Sequence, residues 1–427
     1  MLITALGLLL LLLFSSISVG SGLASLAFIL TYLFSDRPLH RALGEVTWGG
    51  CTNLLLVAIP LFILLGQILL VSGLADRVYG ALAHWLSWLP GGLMHTNIGT
   101  CMAFAATSGS SVATAATIGT VAIPVIDKYE YNERLFLGSV AAGGTLGILI
   151  PPSIDMIIYG WITQTSVPDL YMAGFIPGIM LGLLFMLTIG IACSVRPEWG
   201  GRKVESSWKQ RIASLPDLLP PVLLFILIIG SIYAGWATPT ESAALGVVGA
   251  LTIAFANGKL SVNVLVQAFE GTARTFGMFL FILAPAWFLN FVITVTGLAN
   301  SLSDILTKQG MSPFATLMWV TLIYTILGCL MDPLPLIVVC LPIIAPVLFA
   351  AGYNPVWFGI YFVVLNETAL LSPPIGLNLF VVQGVRGRGK LTDVIVGTGP
   401  FYGGLILMLI LLILFPQIAL WLPSMMK

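Results

Sequence analysis

Charged residues are scarce in this sequence. Of its 427 residues, 8% are charged and 58% are apolar, and the mean hydropathy is +1.05. A soluble domain carries about 25% charged residues, so the composition excludes water as the main surroundings of the folded chain. The formal net charge is zero and therefore says nothing about binding partners. We expect the lipid bilayer as a partner and no nucleic acid.

Cysteine and histidine are also few, and none stands in a metal or catalytic motif. The five cysteines lie in apolar segments without a CxxC pair, which favours buried free thiols over disulfides or metal ligands. The three histidines show no HExxH spacing. The segment 384–391 nearly matches a P-loop, but Leu391 stands where the Mg²⁺-binding hydroxyl would be required. We expect no enzyme, no ATP site and no transition metal.

Long apolar runs recur along the chain, and each can cross a bilayer as a helix, for which about 20 residues suffice. We predict roughly ten to twelve such segments, and their continuity excludes the alternating pattern of a membrane barrel. The clearest runs are 51–71, 171–193, 218–233, 276–295, 355–382 and 394–422. Residues 2–34 lack a basic region and are interpreted as one or two spans rather than a cleaved signal peptide.

One motif occurs twice, 222 positions apart. Pro124, Tyr131, Asn132, Phe136, Pro151 and Pro152 recur without a gap as Pro346, Tyr353, Asn354, Phe358, Pro373 and Pro374. The two halves are therefore copies of one unit, a pattern typical of transporters whose site lies where the copies meet. We place the first copy at 1–195 and the second at 218–427, with a basic linker at 196–217 between them.

The distribution of basic residues predicts that the copies are inverted. The linker 196–217 and the loop 386–390 are rich in Lys and Arg, so both are expected in the cytoplasm. In the first copy, the counterpart of the second loop is 164–169, which has no basic residue and is separated from the linker by one span, 171–193. Corresponding loops therefore lie on opposite sides. We predict an all-α polytopic membrane protein built from two inverted-topology repeats.

A tandem proline pair interrupts each copy, within 134–163 and again within 355–383. Proline removes a backbone donor and disfavours helix in the residue before it. We expect the segment 141–152, which also holds three glycines, to be non-helical, with its freed carbonyls available to a cation. A simple proline kink is the alternative. Recurrence in both copies, with Asn366 beside the second pair, favours a site.

Each copy also holds an apolar block with a polar centre, 92–126 around Ser108–Ser111 and 313–348 around Leu330–Pro333. Two arms of about 16 helical residues reach about 24 Å, enough to enter the membrane and return. We interpret both blocks as re-entrant helical hairpins. A single long tilted span is the alternative, but Asp332 favours the hairpin because an intramembrane carboxylate is costly and usually functional.

The sequence resembles, over essentially its whole length, the large membrane subunit of tripartite ATP-independent periplasmic (TRAP) transporters. The most specific motifs are GGTLGILIPPSIDMIIYG, FIPGIMLG and NETALLSPPIGLNLFV. The resemblance implies an elevator-type, Na⁺-coupled symporter of the bacterial inner membrane. Its partners would be a small four-helix membrane subunit and a periplasmic binding protein that delivers a carboxylate such as a dicarboxylate or sialic acid. The hairpins and broken helices would form a transport domain, and the outer helices with arms at 75–89 and 299–309 a scaffold.

The resemblance also implies positions for the ions and the solute. One Na⁺ is expected at Ser108, Ser110, Gly143 and Thr145, and a second at Gly328, Asp332, Asn366 and Thr368. The solute is expected beside Ser111, Pro151, Pro152, Ser153, Pro373, Pro374 and Asn378. Asp155 is either a helix cap or a part of the site. The alternative function is a single-component anion permease or channel with the same repeat, which would conduct without a binding protein.

Overall fold

The computed structural model describes residues 4, 7–8, 11–12, 17–202, 204–297, 311–331 and 333–425. Within these ranges the chain is helical and contains no strand. The helices are α1 (Val19–Phe34), α2 (Leu43–Cys51), α3 (Ala58–Val71), α4 (Leu74–Leu86), α5 (Leu93–Ser108), α6 (Ser111–Ala122), α7 (Val125–Tyr129), α8 (Glu133–Leu149), α9 (Ile154–Thr163), α10 (Val167–Val195), α11 (Trp208–Tyr233), α12 (Pro239–Ala256), α13 (Val262–Val295), α14 (Pro313–Gly328), α15 (Pro333–Ala350), α16 (Pro355–Leu371), α17 (Leu377–Arg386), α18 (Leu391–Leu414) and α19 (Gln417–Met425).

Seven helices in the described ranges are long and apolar enough to cross a membrane. Six of them are α10, α11, α12, α13, α15 and α18, and the seventh is α3 with the short 3-10 turn that precedes it. The pair α8 and α9 passes the same test as one unit, bent by 41° at the first proline pair. The prediction of an all-α polytopic membrane protein is confirmed.

The centre of the molecule is formed by one helix from each copy. Every residue of α8 from Leu135 to Leu149 is buried, as is every residue of α16 from Trp357 to Leu371. A helix that is apolar on all sides belongs in a core. Helix α8 packs against α5, α6 and α18, and α16 packs against α14 and α18. The helices α1, α3, α11, α12 and α13 pack among themselves outside this centre.

Contacts between the copies show that they are inverted. Arg386, at the end of α17, donates from Nε to Glu133 Oε1 at the start of α8 over 2.9 Å. Tyr159, near the end of α9, donates its hydroxyl to the Pro355 carbonyl oxygen at the start of α16 over 2.7 Å. Since α8 and α9 run across the core between these two contacts, α8 and α16 start at opposite ends of the molecule. Glu133 and Pro355 are repeat counterparts, so the halves point in opposite directions.

Ion pairs hold the loop before α8 to the loop after α17. The Arg386 side chain is 3% exposed and contacts both Glu133 and Asp393. The exposed Arg388 contacts Asp127 over 2.6 Å, and its guanidinium lowers the pKa of the Asp127 carboxyl. A lowered pKa means that this pair is present near neutral pH and is lost as the pH falls through the Asp127 titration in the folded protein.

The two arginines of this cluster are expected to differ in their effect on stability. Arg386→Gln removes a buried guanidinium from two carboxylates and is expected to lower the free energy of unfolding by about 2 kcal/mol. Arg388→Gln is the matched control, with no measurable change expected, since solvent screens exposed pairs. Thermal unfolding of the purified protein measures both. Equal shifts would show that burial of Arg386 does not strengthen its contacts.

The structure differs from one detail predicted from the sequence. The glycine-rich segment before the first proline pair is helical as far as Leu149, because its glycines allow close helix packing: a Cβ on Gly144 would lie 2.6 Å from Ala115 Cβ. The basic linker is helical from Trp208 onward, where Ser207 and Gln210 form a capping box. The predicted arm at 75–89 contains α4, whereas the arm at 299–309 lies outside the described residues.

Candidate functional site

The first hairpin turns at two residues. Helix α5 ends at Ser108, Gly109 has the left-handed φ of 59°, and Ser110 caps α6 by accepting from the Ala113 N–H over 3.4 Å. Glycine takes this conformation without the steric cost of a side chain. Helices α5 and α6 pack against each other on either side of the turn. The polar tip predicted at 108–111 is therefore a break between two helices.

In both copies, the hairpin tip contacts the helix break at the proline pair. The Ile154 N–H donates to the Gly109 carbonyl oxygen over 3.5 Å, and the Ile375 N–H donates to the Cys329 carbonyl oxygen over 3.3 Å. Both donors follow a proline pair, and both acceptors lie at the end of a hairpin arm. A similar contact between tip and break is thus present in both copies, at neighbouring rather than equivalent positions of the repeat.

The first break is short and buried. It spans the residues between Leu149 and Ile154, and Ser153 caps α9 by accepting from the Met156 N–H over 3.4 Å. Pro151 and Pro152 are buried, whereas their counterparts Pro373 and Pro374 are exposed. Since proline has no N–H, the carbonyls four residues before Pro151 and Pro152 lose their helical donors. These are the Gly147 and Ile148 carbonyls.

Oxygen atoms converge where the first tip meets the first break. The Ser108 and Thr114 hydroxyls lie 2.7 Å apart, and Thr114 donates to the Ser110 carbonyl oxygen over 2.8 Å. Ser111 donates from the same tip to the Thr145 carbonyl oxygen over 3.1 Å. A Cβ on Gly147 would lie 2.7 Å from the Ser110 carbonyl oxygen. The tip and the break therefore bring hydroxyl and carbonyl oxygens together, which are the donors that a hard cation such as Na⁺ takes.

Ser108, Ser110 and Thr145 thus lie at one junction, but Gly143 faces elsewhere. A Cβ on Gly143 would lie 2.9 Å from Cys101 Sγ in α5, so the missing side chain there serves the packing of the hairpin arm. The Thr145 hydroxyl donates to the Ala142 carbonyl oxygen within its own helix. Their roles as Na⁺ ligands remain predictions.

The second predicted ion site is partly outside the described residues, because Asp332 is among those not described. Of the others, Gly328 ends α14 and packs against Ala369 of α16. Thr368 is buried and donates its hydroxyl to the Val364 carbonyl oxygen over 2.8 Å. Gly328 lies at a contact between α14 and α16, whereas the printed hydrogen bond of Thr368 stays within α16. The roles of both residues as ligands also remain predictions.

Asn366 joins the two copies through its side chain. Its amide Nδ2 donates to Asp155 Oδ2 over 2.6 Å, and its Oδ1 accepts from the Tyr324 hydroxyl over 3.0 Å. All three side chains are buried. From the sequence, Asp155 is predicted to be either a helix cap or a part of the site. No sequence pattern indicates a role for Tyr324. The structure places Asp155 at the boundary between the first and second copies.

A cavity of about 490 Å³ lies beside this junction. One wall is formed by Ser108–Ala113, Ile154 and Asp155, together with the ends of α15 and α16, and the other by residues of α3 and α13 that include Gln67 and Thr275. Asp155 is the only charged residue among the described residues that line the cavity. The cavity therefore separates the outer helices from the hairpin and the helix break.

Among the residues predicted to contact the solute, Ser111 lines this cavity. Asn378 is buried beside α8, where its Nδ2 donates to the Ala141 carbonyl oxygen over 3.2 Å. The described cavity lining includes Leu370 and Leu377, which flank the second break, but neither proline of that break. The sequence does not predict that Gln67 and Thr275 line a cavity. Each is a polar residue in an apolar span, and no sequence pattern separates such a residue from one that faces a neighbouring helix.

One known protein family matches this chain over nearly its whole length. Residues 6–418 match the model of the family described as "Tripartite ATP-independent periplasmic transporter, DctM component". The chain belongs to this family. The resemblance found in its sequence motifs is thereby confirmed, and the protein is a TRAP large permease component.

Full-length relatives carry the same description. The chain is 34% identical to the C4-dicarboxylate TRAP transporter large permease protein DctM of Pseudomonas aeruginosa, covering 92% of each chain. It is 32% identical to the DctM protein of Vibrio cholerae, covering 96% of this chain and 94% of the relative. The crystal structure of the YdaH transporter of Alcanivorax borkumensis has a similar fold, with a TM-score of 0.61, 15% identity and 97% coverage of both chains.

Proposed function

We propose that this TRAP large permease component is a Na⁺-coupled symporter that imports an organic carboxylate across a bacterial inner membrane. The observation that supports it best is the convergence of hydroxyl and carbonyl oxygens where the first hairpin tip meets the proline break, at the wall of a cavity. Non-helical backbone inside the membrane is tolerated only where it lines a water-filled cavity or is buried in protein. Oxygen-only donors in that position suit Na⁺.

The cavity favours a carboxylate that travels with cations. Among its described lining residues there is no Lys, Arg or His to offset a negative charge. The N–H groups at the start of α6 lie at its wall and would meet a carboxylate at the positive end of a helix. Bound Na⁺ would supply the remaining positive charge, so ion and solute would enter together. We propose a dicarboxylate, sialic acid or a similar acid as the solute.

The helix packing supports an elevator motion. Both hairpins and both broken helices form one packed body around α8 and α16, whereas α1, α3, α11, α12 and α13 form the outer group. The cavity lies between these two bodies, so movement of one past the other would carry its contents across the membrane. A small four-helix subunit beside the outer group and a periplasmic binding protein that delivers the solute would complete the tripartite assembly.

Ser110→Ala is expected to raise the half-saturating Na⁺ concentration several-fold, because it removes the hydroxyl at the hairpin tip. Na⁺-dependent thermal stabilisation of the purified protein measures this without knowledge of the solute. Thr252→Ala is the matched control, since the exposed Thr252 hydroxyl donates only within its own helix. An unchanged Na⁺ response in Ser110→Ala would remove the tip hydroxyl from the ion site.

Transport itself is tested in vesicles that contain the complete assembly. Thermal-shift screening of the cognate binding protein identifies the solute. Labelled solute should then accumulate only under an inward Na⁺ gradient and only when the binding protein is present. Full uptake with K⁺ in place of Na⁺ would refute the coupling, and uptake without the binding protein would favour a single-component permease or channel.

A further inference from the structure

Gln67 is a polar side chain in an otherwise apolar helix, and the proposed transport scheme gives it no role. It is the one polar residue of α3, which together with the turn before it forms the most apolar of the seven candidate spans. The side chain is half-buried and lines the cavity. Its amide has no hydrogen-bond partner among the described residues. Because a polar group in a membrane interior is costly, a free amide beside a cavity indicates a function there.

Helix α13 leaves room for the Gln67 amide and supports it. A Cβ on Gly271 would lie 2.7 Å from Gln67 Oε1 and 2.8 Å from Gln67 Cδ, so the amide rests on the bare backbone of α13. The residue before Gln67 contacts the first hairpin tip, since a Cβ on Gly66 would lie 3.3 Å from Ser108 Cα. The Gln67 amide is therefore held on the outer wall of the cavity, beside the hairpin tip.

Thr275 adds a second free polar group to the same wall. It lines the cavity, and it follows Gly271 by one helical turn, so both residues share one face of α13. Thr272, on the same helix, donates its hydroxyl to the Ala268 carbonyl oxygen over 2.7 Å. The Thr275 hydroxyl makes no such bond to any residue in the described ranges. Gln67 and Thr275 thus offer an amide and a hydroxyl to the cavity from neighbouring positions.

The chemistry of this wall favours neutral groups of a solute. An amide and a hydroxyl each donate and accept hydrogen bonds, which matches the hydroxyl groups of a solute, since these also do both. A second carboxylate has no such match. The described lining holds no Lys, Arg or His, and its one charged residue, Asp155, is acidic and repels another anion. The first carboxylate lies across the cavity at the start of α6, where Na⁺ offsets its charge.

We propose that Gln67 and Thr275 form a solute-binding contact on the outer wall, which selects monocarboxylates that carry hydroxyl groups. The Gln67 amide accepts from one solute hydroxyl and donates to another, and the Thr275 hydroxyl binds beside it. The cavity of about 490 Å³ is in the size range of small-molecule sites. This inference rests on the proposed carboxylate transport and narrows its solute. It also makes the solute a bridge between the outer helices and the hairpin.

The first measurement compares four six-carbon acids as probes, namely gluconate, glucarate, hexanoate and adipate. They differ only in their hydroxyl groups and in the presence of a second carboxylate. Isothermal titration calorimetry of the purified full-length protein in Na⁺ solution should give gluconate the lowest Kd. It should be at least about tenfold below that of hexanoate, which leaves the polar groups of the outer wall unpaired. A Kd for gluconate no lower than that of any other probe, or binding of none of them, would overturn the proposal.

The second measurement removes the two polar groups while nearly preserving shape. Gln67→Leu and Thr275→Val should each raise the Kd of gluconate by about tenfold and leave that of hexanoate unchanged. Gln267→Leu is the matched control, because Gln267 is exposed on α13 and donates only to Asn263 of its own helix over 3.4 Å. A wild-type Kd for gluconate in both cavity variants would refute the contact.

Na⁺-dependent thermal stabilisation separates this contact from the proposed Na⁺ coupling. Gln67 and Thr275 lie outside both predicted ion sites, so Gln67→Leu and Thr275→Val should keep the wild-type Na⁺ response while they lose the preference for gluconate. Loss of the Na⁺ response in both variants would show that these side chains support the fold rather than bind the solute. Absence of Na⁺ stabilisation from the wild type would refute the coupling itself, whereas a normal Na⁺ response without any preference for hydroxyl groups would refute only the contact.

Discussion

Gly147→Ala is expected to weaken Na⁺ binding at the first junction strongly, while the protein still inserts and folds. A Cβ at this position would lie 2.7 Å from both the Ser110 carbonyl oxygen and the Thr114 hydroxyl, closer than packed atoms tolerate. The hairpin tip must therefore move away from the helix break, and the oxygens that converge there separate. We expect the half-saturating Na⁺ concentration to rise by at least about tenfold, which corresponds to about 1.4 kcal/mol of binding free energy.

Na⁺-dependent thermal stabilisation measures this effect, and Gly403→Ala is its control. Gly403 lies in α18 and has open space where a Cβ would stand, so the added methyl group should leave the Na⁺ response unchanged. Both variants introduce the same atom into a membrane helix, and only one places it against the hairpin tip. A wild-type Na⁺ response in Gly147→Ala would show that close contact between tip and break is not needed for ion binding.

The sequence predicts this junction well because its determinants are local. A proline pair disrupts a helix wherever it occurs, so the two breaks and their repeat spacing could be located without coordinates. The polar tip at 108–111 interrupts an apolar run, and this too is visible in one sequence. The inversion followed from loop charges, and the contacts of Glu133 and Pro355 at opposite ends of the molecule agree with it.

What the sequence could not predict depends on contacts between distant residues. The glycines before the first proline pair suggested a loosened helix, but they permit close approach of α5 and α6 to an intact α8. A glycine in a single sequence does not show which of these it serves. Likewise, 211 positions separate Asn366 from Asp155, and no periodicity within either segment indicates that they meet. Such pairs are properties of the packed structure.

The hydrogen-bonded chain of Tyr324, Asn366 and Asp155 is a buried polar link between the copies. Tyr324 and Asn366 belong to the second copy and Asp155 to the first. Asn366 is the central member, because its amide satisfies a hydroxyl donor on one side and a carboxylate acceptor on the other. Buried polar groups are most costly when one partner is removed and the rest remain. Asn366 is therefore the position at which a single change disturbs most of the link.

Asn366→Leu is expected to lower the free energy of unfolding by about 3 kcal/mol, because it leaves the Asp155 carboxylate and the Tyr324 hydroxyl buried without this shared partner. Tyr324→Phe removes only one neutral donor and should cost about 1 kcal/mol. Thermal unfolding of both variants under identical conditions measures the difference. Since Phe preserves the ring and its packing, the comparison isolates the contribution of the Asp155 contact. Equal losses in the two variants would show that the hydrogen bond from Asn366 to Asp155 adds nothing to the link across the copies.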